Sequence, residues 1–469
     1  MVTDLCSTDH VTIDILPDDV LLEIFHCCRL GGMSKFNVTW EWEKLVHVCR
    51  RWRHLVFASP RHLDLRLVCT PRTRARKMLD IWPPIPIIIN YSHNLRPKRS
   101  ISNVLAALKY RDRIREIRLG DLTSSQLERF AAATQKQFPA LTFLEFGSHD
   151  EMARALPLDF LGGAASRLHI ARLHGIPFPT FPHVFLSSRD LVELQLRDIP
   201  MNGHVSPMAM VTGLTALIHL QKLSIEFQSP KSPINPTRLP CPGKRVVLPS
   251  LTQFWFRGIS EYLEDLIGRI HAPLLHYVNI TLFDQLIFHL PQLVQFINQS
   301  ETLESLNQAE MVFGGHDVML TFCSPGKVVG LILRISCNDL VWQVSLLACV
   351  CSRLFRLVSS VEQLDLHEDE NSQPHWQDAI DVTQWLALFR PFSAVKTLRL
   401  SKETRALQSL VLRAMREFTG ESLTQVLPRL RDLFVEGLQL YSPIHESVEL
   451  FHAARRRSDN AVAVHRWVR

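Results

Sequence analysis

The sequence predicts an α/β fold in which a small all-α module precedes a long array of parallel strands joined by helical return segments. Two observations give this prediction. Apolar residues recur at helical spacing between Leu16 and Val56, and from Ile114 onward a motif of the form apolar-x-x-apolar-x-apolar recurs every 23 to 35 residues. The 469 residues are 46% hydrophobic and 21% charged, which is typical of a chain with a sizeable folded core.

The composition also bounds the cellular location that we expect. No stretch reaches the ~18 uninterrupted apolar residues of a membrane helix. The first fifteen residues carry Asp4, Asp9 and Asp14 and no basic residue, whereas a secretory signal begins with positive charge. Ten scattered cysteines favour free thiols in a reducing compartment. We therefore expect a cytoplasmic and/or nuclear protein with no membrane partner.

The net charge of +6 is unevenly distributed along the chain. Between Arg50 and Arg118 there are 17 Lys and Arg against 4 Asp and Glu, a net +13, so the remainder sums to −7. A basic block can mark nucleic-acid contact, but no recognised nucleic-acid motif accompanies it. We interpret the block as a solvated junction between two modules and disfavour nucleic acid as a partner.

The first predicted helix follows Ile15. Pro17 suits the first helical position, Asp18 and Asp19 favour the first turn through the helix dipole, and Gly31-Gly32 marks the end. A broad apolar face follows from Val20, Leu21, Ile24, Phe25 and Cys28.

A second helix is predicted from apolar residues at relative positions 0, 3, 4, 7 and 11, namely Leu45, Val48, Cys49, Trp52 and Val56. Its other face is basic, and Pro60 bounds it. Two short helices bury little apolar surface by themselves, so such a module usually needs a partner. The alternative is a helical cap that packs only on the array.

The two helix sequences together resemble the F-box family. The segment LPDDVLLEIF at 16–25 and the segment LVHVCRRWRHL at 45–55 are similar to that family's motif, which opens with Leu-Pro and an acidic residue and closes with Val-Cys-Arg-x-Trp. The resemblance covers roughly 13–63. The link at 26–44 is longer than in the family and carries Trp40 and Trp42, so either this loop bulges out or the tryptophans add to the interface.

The resemblance implies a partner and a function. F-box modules interlock with a Skp-type adaptor that is itself bound to a cullin. The chain would then be the non-catalytic substrate-recognition subunit of an SCF-type E3 ubiquitin ligase, with an unknown protein substrate. The residues that match the motif, and that we predict to bind the adaptor, are Leu16, Pro17, Leu21, Leu22, Ile24, Phe25, Val48, Cys49 and Trp52.

The array motif predicts irregular leucine-rich repeats, in which each unit is one strand plus a return segment and only stacking buries its apolar side. Residues 407–418, for example, carry a helical apolar stripe. The match departs from the usual pattern, because Ile176, Ile199, Ile259 and Leu438 stand where Asn or Cys is expected. A generic α/β domain is the alternative. The motif begins at Ile114, Leu141, Leu168, Leu191, Leu220, Leu251, Leu275, Leu303, Val328, Val361, Val395 and Leu430.

These features divide the chain into five segments. We expect a disordered N-terminus at 1–12, the F-box-like module at 13–65, a linker or array cap at 66–110, the repeat array at 111–445 and a basic tail at 446–469. Two long loops are expected at 228–245, which is rich in proline, and at 367–378, which is acidic.

Side chains alternate along a strand, so residues between the leucines should face the open, concave side of the array. The mid-strand positions are Arg118, Glu145, Arg172, Gln195, Ser224, Trp255, Asn279, Asn307, Ile332, Asp365, Arg399 and Phe434. Exposed aromatics are typical binding anchors and arginines can pair with phosphate. The predicted substrate-binding residues are Arg172, Trp255, Arg257, Tyr277, Arg399 and Phe434. If the strand frame slips by one residue, Trp255 becomes core instead.

The sequence carries no recognised catalytic motif. It has no GxGxxG, P-loop, HExxH, GxSxG or paired CxxC, so we expect no enzyme activity, no metal and no cofactor. Two other functions stay open: a non-catalytic leucine-rich-repeat scaffold acting outside ubiquitination, and an enzyme on an irregular α/β fold. Arg455-Arg456-Arg457 is a weak nuclear-import signal.

Overall fold

A computed structural model describes most of the chain. The described residues are 13–30, 42–72, 78–80, 82–91, 101–150, 153–200, 205–229, 245–283, 290–326, 328–369, 372, 381–401, 405–417, 426–438, 443–457 and 461–467. They form two compact units, the first made of 1–152 with 157–168 and the second of 153–156 with 169–469. Cys28 lies in a helix, but its side chain is outside the description.

The first unit begins with three helices, α1 (Asp18–Leu30), α2 (Trp42–Leu45) and α3 (Arg50–Ala58). Helix α1 starts one residue later than expected, since the carbonyl of Pro17 accepts the first intrahelical bond from Leu21 N–H at 3.0 Å. The second predicted helix does not run continuously from Leu45. Cys49 instead caps α3, with its Sγ accepting the N–H of Trp52 at 3.4 Å.

Four parallel strands follow in the first unit, in the order in which they occur in the chain: β1 (Leu67–Cys69), β2 (Ile87–Tyr91), β3 (Ile114–Leu122) and β4 (Phe143–Ser148). Helices α4 (Ser102–Ala107) and α5 (Ser124–Ala133) join the later ones. Strands β1 and β2 lie in the segment that we expected to be a linker or cap. The prolines there flank the strands, so their missing N–H groups do not interrupt the sheet.

The second unit contains the remaining strands. They are β5 (Ile170–His174), β6 (Glu193–Ile199), β7 (Lys222–Phe227), β8 (Val246–Val247), β9 (Gln253–Gly258), β10 (Ile270–His271), β11 (Tyr277–Leu282), β12 (Gln308–Phe313), β13 (Asp317–Ser324), β14 (Val328–Ser336), β15 (Gln363–Glu368), β16 (Thr397–Leu400), β17 (Asp432–Glu436) and β18 (Ala463–Trp467). Strands β8 and β10 form a separate parallel pair.

Helical segments return the chain between these strands. They are α6 (His183–Leu186), α7 (Pro207–Leu214), α8 (Ser260–Ile267), α9 (Pro291–Ile297), α10 (Glu301–Glu304), α11 (Leu340–Arg353), α12 (Phe355–Val358), α13 (Val382–Phe389), α14 (Arg405–Glu417) and α15 (Pro443–Arg457). Among the described residues, no helix combines the length and apolarity needed to cross a membrane. The predicted α/β class, with mostly parallel strands and helical returns, is confirmed.

The sheet of the second unit departs from simple chain order at its centre. Its order is β5-β6-β7-β9-β11-β14-β13-β12-β15-β16-β17-β18, and β13 runs antiparallel to both neighbours. The predicted strand at Leu303 is therefore wrong, because that residue lies in helix α10. Asn307 accordingly precedes β12 instead of facing outward at mid-strand, and Glu310 takes that position.

Three further expectations about ends and loops are corrected by the structure. The predicted acidic loop begins later than His367, because His367 and Glu368 belong to β15 and are buried. The predicted basic tail forms helix α15 and strand β18. Arg455 is 2% exposed and donates to the carbonyl of Val426 at 2.7 Å, so it is not part of an accessible basic signal.

A continuous apolar layer lies behind the sheet. Leu223, Phe254 and Val278 are register partners on β7, β9 and β11, and each is fully buried. Equivalent residues on most of the other strands are buried in the same way, while most of the alternate positions are only partly covered. Parallel register thus sorts each strand into a core row and a polar row.

A half-buried carboxylate on helix α8 predicts a pH-dependent stability. Glu264 accepts the N–H groups of Gln292 and Leu293 at the start of α9, at 2.8 and 2.9 Å. Burial nevertheless raises the pKa of Glu264 from its ordinary 4.5 to about 6. Between these values the folded state binds more protons than the unfolded state, so this contribution to the free energy of unfolding falls as pH rises.

We therefore expect Glu264→Gln to remove a downward slope between pH 4.5 and about 6, measured as the difference in urea-unfolding free energy between wild type and variant. The exposed Glu301→Gln is the matched control and should keep the wild-type slope. A wild-type-minus-E264Q difference that is flat across this window would contradict the assignment.

Candidate functional site

The F-box-like segment has a small core of its own. Leu21 is fully buried and Phe25 is 3% exposed, and the Phe25 ring lies 4.7 Å from the ring of Trp52. The Arg51 guanidinium donates to Asp18 Oδ1 at 2.7 Å and to the carbonyl of Leu16 at 2.6 Å. These contacts hold the beginning of α3 against the beginning of α1, so the two halves of the motif are adjacent in space.

The nine predicted adaptor-binding residues divide by burial. Leu21 and Phe25 are buried and serve the core, whereas Pro17, Ile24 and Val48 are exposed. Half-buried positions are held by Leu16, Leu22, Cys49 and Trp52. The surface of this segment is therefore built by only part of the motif.

Further apolar side chains extend that surface. Ile15 is 66% exposed and Val48 is 60% exposed, while Val20 and Ile24, one helical turn apart on α1, are 39% and 37% exposed. We call Ile15, Pro17, Val20, Ile24 and Val48 the apolar strip. Since α1 and α3 begin side by side, Val48 lies near the same end of the segment as Ile15 and Pro17.

Of the two tryptophans in the long link, the structure describes only Trp42. Trp42 is 6% exposed, packs its ring 5.0 Å from that of Trp82 and donates its Nε1–H to the carbonyl of Arg66 at 3.1 Å. It is an internal residue of the first unit and is not free to add to an interface. Trp40 lies outside the described residues.

The polar row of the second unit is the other candidate surface. In register across the sheet lie Arg172, Gln195, Ser224, Trp255, Asn279, Ile332, Thr321, Glu310, Asp365, Arg399, Phe434 and His465. The strand frame thus places Trp255 on the side opposite Phe254 and Phe256, which are buried. Arg118 and Glu145 are register partners in the first unit.

The first group on this row surrounds Trp255. Its ring lies 5.2 Å from the ring of Tyr277, and the guanidinium of Arg257 lies 5.7 Å from the ring of Phe283. Arg257 is exposed and forms no salt bridge among the described residues. Arg172, three strands away, is instead paired with Glu193 at 2.8 Å. Trp255, Tyr277 and Arg257 therefore offer two ring surfaces and an available cation.

The second group surrounds Arg399. Its guanidinium lies 5.4 Å from the ring of Phe434 and 5.8 Å from that of Trp467. Phe434 also stacks on His465, with ring centroids 4.6 Å apart. Six strand-to-strand steps of about 4.8 Å, on the order of 29 Å, separate Arg399 from Trp255. Five of the six predicted substrate residues hence form two separate groups, and Arg172 lies apart from both.

A cavity beside Arg399 contains residues that sequence reasoning missed. It has a volume of about 310 Å³ and is lined by Gln308, Ala309, Glu310, Thr321, Cys323, Val329, Asp365, His367, Arg399 and Trp467. Glu310 was missed because β12 was placed too early, and Trp467 because its strand was taken for a tail. Two turn signals flanking β13, Gly314-Gly315 and Pro325-Gly326, are the sequence features that predict a hairpin there.

Metal and thiol chemistry have little support in the described residues. They contain no group of three or more His, Cys, Asp and Glu side chains placed to hold a metal ion. Burial raises the pKa of the Cys69 thiol to about 12 and also raises that of Cys351, so both stay protonated at neutral pH.

Comparison with known proteins adds a distant structural likeness. No family model matches the chain, and no curated protein matches it. Among solved structures, it is similar to the leucine-rich repeat-containing protein LegL7 from Legionella pneumophila, with 12% identity over 82% of this chain and 97% of that one. The TM-score is 0.26, and no conclusion about function rests on this likeness.

The strand frame at Trp255 has a direct consequence for stability. Phe254→Ala removes a fully buried ring and should lower the free energy of unfolding by about 3–5 kcal/mol. Trp255→Ala, although it deletes a larger side chain, should cost under about 2 kcal/mol because the indole is only half-buried. Urea denaturation of both variants checks this order. A larger loss of unfolding free energy in W255A than in F254A would mean that Trp255, and not Phe254, faces the core.

Proposed function

We propose that this chain is the substrate-recognition subunit of an SCF-type ubiquitin ligase, in which residues 13–65 bind a Skp-type adaptor. The observation that carries the proposal is the apolar strip, which lies beside the core of the two motif halves and whose side chains are exposed among the described residues. Water-exposed aliphatic surface of this kind is stabilised by a protein partner. When an adaptor covers the strip, each Å² of apolar surface removed from water contributes roughly 25 cal/mol to the binding free energy.

The remainder of the chain is proposed to be an irregular leucine-rich-repeat array that binds the substrate. Recurring parallel strands with helical returns support the array, and the two aromatic and charged groups on the polar row support binding there. The subunit would make and break no covalent bond. Its contribution is proximity, since it holds a substrate lysine near the ubiquitin-charged conjugating enzyme.

The proposal predicts that a charge within the apolar strip abolishes adaptor capture. Pro17→Glu and Val48→Glu should each lower the amount of adaptor that co-purifies with the full chain by more than tenfold, because a carboxylate buried in an apolar interface is strongly unfavourable. Leu158→Glu is the matched control, since Leu158 is 65% exposed in the same unit but lies outside the strip. Adaptor recovery at wild-type level from both strip variants would refute the proposal.

A scaffold acting outside ubiquitination is the second candidate, and a cullin separates the two. The ligase subunit should co-purify a cullin together with the adaptor, and its loss should raise the abundance of a bound protein when the proteasome is active. Full-length chain compared with a variant lacking residues 1–65, with and without proteasome inhibition, measures both. Adaptor without cullin, and no protein whose level changes, would favour the scaffold.

A further inference from the structure

The cavity beside Arg399 is built on adjacent strands whose side chains are tied to one another. Glu310 and Asp365 are register partners on β12 and β15, so their side chains lie on the same face of the sheet, and both line the cavity. His367 Nε2 lies 3.4 Å from Glu310 Oε1, and Arg399 Nη1 lies 3.8 Å from Asp365 Oδ2. Gln363 donates to both oxygens of Asp365 at 3.1 Å. The carboxylates are thereby held in fixed positions at the cavity.

The charge around this cavity is negative. The polar side of strands β12 and β15 to β18 carries four carboxylates, Glu310, Asp365, Asp432 and Glu436, against the one guanidinium of Arg399, a net −3 with neutral histidine. The polar side of β5, β6, β7 and β9 has the opposite tendency, with Arg172, Arg197, Lys222 and Arg257 against Glu193, Asp198 and Glu226. The cavity therefore attracts cations, whereas the Trp255 group does not.

Hydrogen-bonding capacity in the cavity wall is left unused by the protein. Thr321 is 5% exposed and lines the cavity, yet its hydroxyl makes no hydrogen bond within the described part of the chain. The Arg399 guanidinium likewise makes none among those residues, and its Nε is buried. Buried polar groups are normally paired, so the unpaired Nε of Arg399 points to an acceptor supplied by a bound molecule or by solvent, and the Thr321 hydroxyl lies at the same cavity.

We propose that this cavity binds a lysine or arginine side chain presented by a peptide segment of the substrate. The cation would lie against Glu310 and Asp365, while a backbone carbonyl of the same segment accepts from Arg399 and the Thr321 hydroxyl completes the contacts. Trp467 supplies a ring at the cavity wall, which is a favourable neighbour for a cation. The inference rests on the proposed substrate-receptor function and names the chemistry that the substrate must carry.

Fluorescence anisotropy with the full-length chain tests this. The probes are labelled short peptides with randomised flanks and a fixed central arginine, glutamine or glutamate. The arginine set should bind about tenfold more tightly than the glutamine set, and the glutamate set should bind least, because hydrogen bonds between charged partners are stronger than those between neutral ones. Equal binding of the arginine and glutamine sets, or preference for glutamate, overturns the proposal.

Variants locate the binding within the cavity. Glu310→Gln with Asp365→Asn should remove the preference for arginine, and the nearly isosteric Thr321→Val should weaken binding of the arginine set about threefold. The matched control is Glu301→Gln with Glu304→Gln, which makes the same change of charge on the exposed α10 and should leave binding unchanged. An E310Q/D365N protein that is folded by circular dichroism and still prefers arginine refutes the site.

Adaptor capture measured on the same proteins separates this inference from the proposed function. E310Q/D365N should capture the adaptor at wild-type level, because both residues lie in the second unit. If the wild-type chain captures the adaptor but shows no preference for the arginine peptides, the cavity assignment alone is refuted. Arginine-selective binding without any adaptor capture would refute the ligase role and leave the cavity in place.

Discussion

The burial of one apolar row per strand is the constraint on which the second unit depends. Because register partners such as Leu223 and Phe254 both point into the same layer, each strand needs its neighbours to remove its leucines from water. A slip of one residue would exchange the core row for the polar row along a whole strand. The same constraint therefore fixes Trp255, Glu310 and Arg399 on the opposite side, where a ligand can reach them.

This constraint explains why the strand frame could be predicted from sequence. The motif that begins at Leu220 and the one that begins at Leu251 have apolar residues at the spacing of a strand and the residues just before it. Strands β7 and β9 begin two residues after these leucines. The same pattern wrongly predicted a strand at Leu303. This leucine is fully buried, as a strand leucine is, but Ser300 caps a short helix there by accepting the Leu303 N–H. A three-residue apolar spacing fits a helical turn as well as a strand approach.

The reversed centre of the sheet could not be predicted from the repeat alone. Strand β14 pairs with β11, and β12 pairs with β15, although β12 comes first in the chain. The turn residues on either side of β13 predict the two hairpins that it forms with β12 and β14. Long-range packing, however, decides whether β12 or β14 pairs with β11. Glu310 and His367 reach the same cavity only through that choice.

The burial of residues on helix α1 could not be predicted from sequence for a similar reason. Leu21 and Val20 are both aliphatic, and only packing against α3 assigns Leu21 to the core.

The two proposed binding surfaces differ in physical character. The apolar strip, which lies on α1 and just ahead of α1 and α3, suits association driven by removal of aliphatic surface from water. The polar row combines rings with charges held by neighbouring strands, which suits selection among ligands more than bulk affinity. A subunit that keeps one partner and exchanges another would use its surfaces in this way.

The central claim is that residues 13–65 lose their exposed apolar surface to an adaptor. Hydrogen–deuterium exchange of the full chain, with and without purified Skp-type adaptor, tests it most directly. We predict slower exchange in α1 and in the peptides that span Val46 to Arg53, with little change in the second unit. Unchanged exchange in α1 at saturating adaptor, or protection confined to the second unit, would contradict it.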